Sequence, residues 1–285
     1  ANLDTDGDSQ LAIPEILSNS VINDRGYIIE SSDVIYVSVR FRSSLPNQYQ
    51  AGALVSKGLS ALGTEFRAGG FATENNNINN GFLTYISVMA TENNTNIVFD
   101  DFPTGINIIN HTGATPINAN LNEGESYMIG VGTNYGGTPN DLIGTLISSD
   151  KPIVVNSGSG TGSFADGSGG RDFGIDQIVG FSKVGNEYIF VRGNGGGDGS
   201  NITPNDGDKW ENIIIIAHQD NTDVFVNDGT ASEATLNAGE WVVIEGDGIN
   251  NNGNGYNSNG NLYVQTSNPV FAYQGIGGAT GSVPN

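Results

Sequence analysis

The stretch ATENNTNIVFDD, residues 90–101, is followed 127 residues later by AHQDNTDVFVND, residues 217–228. Each reads as the end of an apolar run, a four-residue polar turn, a second short apolar run and an acidic stop. The Asn, Asp and Thr side chains of such a turn bond neighbouring backbone and tolerate left-handed dihedrals, so each stretch is expected to be a β-hairpin. One hairpin written twice predicts a copied unit, and the surrounding sequence carries the same signal.

LSALGTEF (59–66) matches FSKVGNEY (181–188), placing Gly63 on Gly185 and Glu65 on Glu187. LNEGES (121–126) matches LNAGEW (236–241), and SSDKPIVVNSG (148–158) matches TSNPVFAYQG (266–275) with one residue deleted. The steps between landmarks are 122, 127, 115 and 117 residues, in unchanged order, which predicts a duplicated unit of roughly 120 residues. Each landmark has a physical task. Gly124 and Gly239 are expected to take positive φ just before a strand restarts. Pro152 and Pro269 are expected at the first residue of a strand, where a missing N–H harms the ladder least.

The apolar segments are short, rich in β-branched and aromatic residues, and punctuated by Gly, Asn, Asp and Pro, which is strand punctuation. Helical period is weak and confined to Ile13–Leu17 and Ala51–Leu62. About seven strands per copy predict an all-β chain of two tandem duplicated antiparallel β-sandwich-like units, immunoglobulin-like or jelly-roll. Propeller-like closure is the alternative, although no blade-length period is found. IIII at 213–216 is apolar on both faces and is expected to be a central strand covered on both sides. The expected organisation is an entry segment at 1–58, β unit 1 at 59–158, a Gly/Asp-rich connection at 159–180, β unit 2 at 181–278, and the start of a further segment at 279–285.

Composition narrows the partners. The chain of 285 residues has Lys+Arg 10 against Asp+Glu 31, a formal charge of −21, Gly 42 and no Cys. With so few basic residues, neutralisation of nucleic-acid phosphates or an anionic membrane has no basic patch to work with, and divalent cations are the better match. Absence of Cys removes disulfides, zinc thiolate sites and thiol nucleophiles together. No apolar run reaches a membrane span, and a chain opening at Ala1 without Met reads as a processed or excised piece.

The ordered set GTEF, ISVMATENNTNIVF, LNEGESYMIG, GTLISSDKPIVVNSG, DQIVG, GNEYIFV, IIIIAHQDNTDVFV and NPVFAYQGIGG resembles the family of IgGFc-binding protein N-terminal domains, from about Val34 onward. That resemblance implies a secreted or cell-surface protein, with bacterial members among long chains that carry export- or gliding-associated C-terminal domains. It also implies that further protein follows GGATGSVPN (277–285). The Cys pair usual in the mid-domain loop of animal members is missing from residues 157–176, so immunoglobulin binding is not carried over.

The strongest local motif is DTDGDSQLAIPE. Asp4, Asp6, Asp8 and Glu15 fall at positions 1, 3, 5 and 12 of an EF-hand-type loop, where alternate carboxylates converge on one hard cation, making Ca2+ the candidate cofactor. Ser9 in place of the expected Gly, and Pro14 before the closing Glu, are departures; the bland alternative is a solvated turn. Asp198, Asp206 and Asp208 form a weaker calcium candidate in a Gly-rich loop, which as an ordinary connection would look the same. No catalytic residue is assigned: His111 and His218 are not shared between the copies, and no nucleophile elbow or zinc-protease motif occurs. Trp210, Trp241, Tyr135 and Tyr256 are candidates for a sugar platform, with a core or strand-edge role favoured for the Trp pair.

These features predict a non-enzymatic structural and adhesive module of a large extracellular protein at the bacterial cell surface, part of a multichain fibre or appendage for attachment. Its expected partners are homo-oligomeric copies or neighbouring repeats, with a glycan or cell-surface ligand. The alternative is a calcium-dependent carbohydrate-binding module.

Overall fold

The computed structural model describes residues 15–42, 51–72, 83–162, 172–192, 211–246 and 248–276. Asp4, Asp6, Asp8, Asp198, Asp206, Asp208 and Trp210 lie outside these residues. Among the described residues the regular structure is strand with a few single 3-10 turns. Both helical candidates dissolve: Glu15–Leu17 and Gly58–Ala61 are 3-10 turns, and Ala51–Val55 is a strand.

Seventeen strands follow in order. An entry region holds β1 (Val21–Ile22), β2 (Ser38–Arg42) and β3 (Ala51–Val55). The first unit holds β4 (Gly63–Arg67), β5 (Leu83–Ala90), β6 (Thr95–Asp100), β7 (Ile117–Leu121), β8 (Ser126–Gly132) and β9 (Leu146–Gly162). After β10 (Asp172–Ile178) come β11 (Glu187–Val191), β12 (Glu211–Ala217), β13 (Thr222–Val226), β14 (Ala234–Leu236), β15 (Trp241–Ile244), β16 (Asn261–Thr266) and β17 (Val270–Ile276). The expected boundary at 158 thus falls inside β9, and the expected connection carries β10.

The second unit is a four-plus-three sandwich: β11-β16-β13-β14 in one sheet and β15-β12-β17 in the other. In the first unit one long strand serves both sheets. Leu146–Ser149 of β9 pair with β6 and β4, and Ile153–Thr161 with β5, so β9 stands for β16 and β17 joined. Pro152 therefore sits at the corner inside β9 instead of opening a strand, while Pro269 directly precedes β17. These units, with seven strand positions each, are not propeller blades.

The duplication holds residue by residue. Ala90 pairs with Ile153 as Ala217 pairs with Val270, Glu65 with Ser148 as Glu187 with Gln265, and Thr95 with Leu121 as Thr222 with Leu236. A constant step of 117 relates β9 to both β16 and β17, so the match around Pro152 and Pro269 has no deletion once Gln265 is placed on Ser148. The turns repeat as well. Gly124 (φ 80°) and Gly239 (φ 82°) donate to the carbonyls of Ala90 and Ala217, each at 2.9 Å. Glu125 and Glu240 accept the N–H of Asn122 and Asn237, each at 2.7 Å.

Alternation along the strands fills two inner cores. Phe66, Ile86, Phe99, Ile129 and Ile147 anchor the first, and Ile213, Ile215, Val224, Leu262 and Val264 the second. The other face of β12, Ile214 and Ile216, joins Phe271, Ile143 and Ala72 in a third cluster between the units, with Trp241 and Tyr273 at its margin. IIII is therefore covered on both faces, as its composition requires. Full burial of each such side chain stabilises by roughly 1.5–3 kcal/mol, so the junction is a packed interface and not a tether.

The entry region is part of the first unit. β1 pairs with β8 at one edge of the sheet β8-β5-β9-β10, and β3 lies against β10 beyond the other edge. A Cβ on Gly52 would meet the Phe173 carbonyl oxygen at 2.4 Å, and Lys57 pairs with Asp176 at 2.8 Å. Residues 23–37 link these two edges as a strap, and Gly26 lies directly over the Met89 sulfur and Ser126 on the outer face of that sheet.

Candidate functional surface

Of the proposed calcium residues only Glu15 is described. It opens a 3-10 turn with an exposed side chain, and its carbonyl accepts from Ser18 N–H at 3.0 Å and Asn110 Nδ2 at 3.1 Å. Among the described residues no group of three or more His, Cys, Asp or Glu converges on a common point. The proposed aromatic platform is dispersed: Trp241 borders the inter-unit cluster, Tyr256 belongs to the second core, and Tyr135 is exposed in the first unit. His111 lies in the β6–β7 loop with Nε2 buried and unpartnered.

The junction gathers the polar groups that sequence reasoning missed. Arg67, 2 % exposed, donates from Nη1 to Asp101 Oδ2 at 2.6 Å and to the Gly144 carbonyl at 2.9 Å. Tyr273 reaches across from the second unit, its ring over Gly69 and its hydroxyl donating to the Arg67 carbonyl at 2.7 Å. Burial raises the pKa of that phenol well above its ordinary value. The turn at Gly239 presses on Gly144, where a Cβ would stand 2.1 Å from the Gly239 carbonyl oxygen. His218 stacks on Phe181 with ring centroids 3.9 Å apart and lies 3.7 Å from Glu65. Its pKa is lowered by burial first and by the Arg67 charge second, with Glu65 and Asp101 opposing.

The same place in the second unit is open. Ile189 stands where Arg67 does, Asp228 where Asp101 does, and both aspartates hold φ 58°. The cation has gone and the carboxylate has stayed. A shallow groove of about 400 Å³ results, lined by Ile189, Asp228, Asn257, Asn261, Leu262 and Tyr263. A carboxylate, two amides and an aromatic ring suit a hydroxyl-rich ligand or a cationic side chain. No signal in one copy alone marks this groove; it emerges only by laying Ile189 on Arg67.

The family model described as IgGFc binding protein matches residues 52–284, spanning both units. The chain belongs to the IgGFc binding protein family. Within this family member the match begins inside β3, so it takes in most of the strand that lies against β10 and the two sandwiches, and leaves out β1 and β2. No curated protein and no solved structure matches the chain. No helix among the described residues is long and apolar enough to cross a membrane.

Proposed function

We propose that this chain is a structural and adhesive module of an extracellular surface protein, of the kind borne on bacterial envelopes, and that it is not an enzyme. The observation that carries this reading is the shared register of the two copies. What they hold in common is turns and strand pairings, and an apolar cluster outside the inner cores packs one unit on the other. Repeated units that bury their faces on neighbours are the construction of extended arrays. Family membership supports the extracellular setting. Immunoglobulin Fc, named in the family description, is not proposed as a ligand, because the Cys pair of animal members has no counterpart in a chain without Cys.

The groove favours a second reading, a carbohydrate-binding module, with calcium held at Asp4, Asp6, Asp8 and Glu15 or at Asp198, Asp206 and Asp208. One experiment addresses both readings. The full chain is labelled and applied to glycan arrays and polysaccharide-coated beads, with calcium or chelator, and the same glycans are analysed for cleavage. Retention without product is expected, and steady release of product overturns the structural reading. Loss of retention in Asp228→Asn and Tyr263→Ala, together with loss in chelator, selects the calcium-dependent carbohydrate reading.

A further inference from the structure

Within the chain, the outer face of β15-β12-β17 packs on the first unit, and on the equivalent face of β8-β5-β9 the strap crosses Met89 and Ser126 at Gly26. Among the described residues two surfaces of this array stand uncovered. At one end the strap shows Ile28, Ile29, Val34, Ile35 and Tyr36 to solvent, with Val34 98 % and Tyr36 95 % exposed. At the other end is the face of β11, where Ile189 is 73 % and Val191 64 % exposed.

The β11 face occupies the position that is an interface in the first unit. Ile189 and Val191 correspond to Arg67 and Gly69, both buried, one beside the Gly239 turn and the other under the Tyr273 ring. Gly63 lies against the Gly180 backbone, whereas its counterpart Gly185 has nothing within 4 Å of a built Cβ. Thr266 N–H donates to the Asn186 carbonyl and Arg192 N–H to the Gly260 carbonyl, each at 2.8 Å. By antiparallel alternation the amides of Glu187 and Ile189 then point to the outer edge of the sheet. An apolar sheet edge of this kind is a pairing surface unless covered.

We propose that the chain assembles head to tail, the strap face of one copy docking on the β11 face of the next. This repeats between copies the junction that joins the two units within one copy. Val191 stands where Gly69 makes room for the Tyr273 ring, so the incoming surface differs from the outer face of the second unit; the strap, rich in aliphatic residues, meets that requirement. Because the two surfaces are different, the contact is heterologous and propagates as a filament or closes as a ring. The inference rests on the structural-module reading and adds the surface and the partner. A formal charge of −21 on each copy opposes association, so assembly strengthens as salt screens it.

The test is sedimentation velocity on the full chain across concentrations up to about 1 mM, where weak contacts register. Wild type is expected to form a ladder of species that shifts upward in salt. Val34→Asp with Tyr36→Asp leaves one end dead, and Ile189→Asp with Val191→Asp the other; each is expected to be monomeric alone. Their equimolar mixture yields a 1:1 dimer that grows no further. All four positions are exposed, and wild-type circular dichroism confirms folding; Val34→Ser with Tyr36→Ser is the milder control. Wild type that stays monomeric, that stops at a dimer, or that ignores either variant pair overturns the proposal. Monomeric wild type that still binds glycan-coated beads sinks the docking while leaving the adhesive reading intact.

Discussion

Substituting Gly124 and Gly239 by alanine, one at a time, separates the strain of the repeated turn from the packing of the junction. Both glycines hold nearly the same dihedral, φ 80° and φ 82°, so a Cβ imposes nearly the same backbone strain, roughly 1–2 kcal/mol before a small gain from a stiffer unfolded chain. At Gly124 nothing lies within 4 Å of the new Cβ, and the net loss is about 1 kcal/mol. At Gly239 the Cβ falls 3.2 Å from Arg67 Nη1, which is held at 2.6 Å by Asp101 and at 2.9 Å by the Gly144 carbonyl. The guanidinium moves only by stretching charge-assisted bonds worth roughly 1.5–3 kcal/mol, so Gly239→Ala loses about 2 kcal/mol more than Gly124→Ala. In a thermal melt, at roughly 2–4 °C per kcal/mol for a protein of this size, Tm falls by about 3 °C in one and about 9 °C in the other. Equal losses in the two variants would refute the claim that the second turn, and not the first, bears on a neighbouring unit.

Three further perturbations probe the same architecture. Because the folded-state pKa of His218 is lowered, the unfolded chain binds more protons as pH drops through about 6.5, so stability from this group is present above that pH and lost below it. His218→Thr, which installs the residue of the first copy, flattens that acid slope relative to wild type in urea melts from pH 7.5 to 5, and an unchanged slope removes His218 from the junction's pH response. Arg67→Met leaves the Gly144 carbonyl without its donor and Asp101 partly solvated, and is expected to cost about 2 kcal/mol in chemical denaturation; a loss below 0.5 kcal/mol contradicts a structural role, as surface ion pairs are worth about that or less. Calcium is expected to raise Tm and chelator to reverse it, with the rise abolished in Asp4→Asn combined with Asp6→Asn; a melt indifferent to calcium discards both acidic loops as sites.

The fold was largely legible because strand register is written in short-range chemistry. Asn-rich turns, Gly124 and Gly239 at positive φ, and alternating apolar residues each act within a few positions, so the two copies carry the same marks in the same order. IIII was readable for the same reason, since an apolar residue at every position of a strand needs two covers. What eluded sequence reasoning depends on contacts between distant segments. Arg67 looks like any strand-edge base until Tyr273 and Gly239 close over it, and Ile189 looks like a core residue until it proves to be 73 % exposed. Pro152 lies inside β9 and does not open a strand, because a strand that changes sheets and a strand that ends carry the same local signal. The strap, with Tyr27 to Tyr36 as apolar as many strands, forms no strand among the described residues, and its course depends on contacts such as Gly26 over Met89 that no local pattern announces.

The order of covering along the chain has a bearing on how the protein is made. The apolar outer sheet of the second unit finds its lid upstream: the first sandwich precedes the sheet that leans on it. A polypeptide emerging N-terminus first thus has that lid already out of the ribosome when the sticky surface forms. Ile214, Ile216 and Phe271 never have to wait for a shelter still to be synthesised, and a vectorial route of this kind keeps a glycine-rich, slow-pairing β protein from finding the wrong neighbour first.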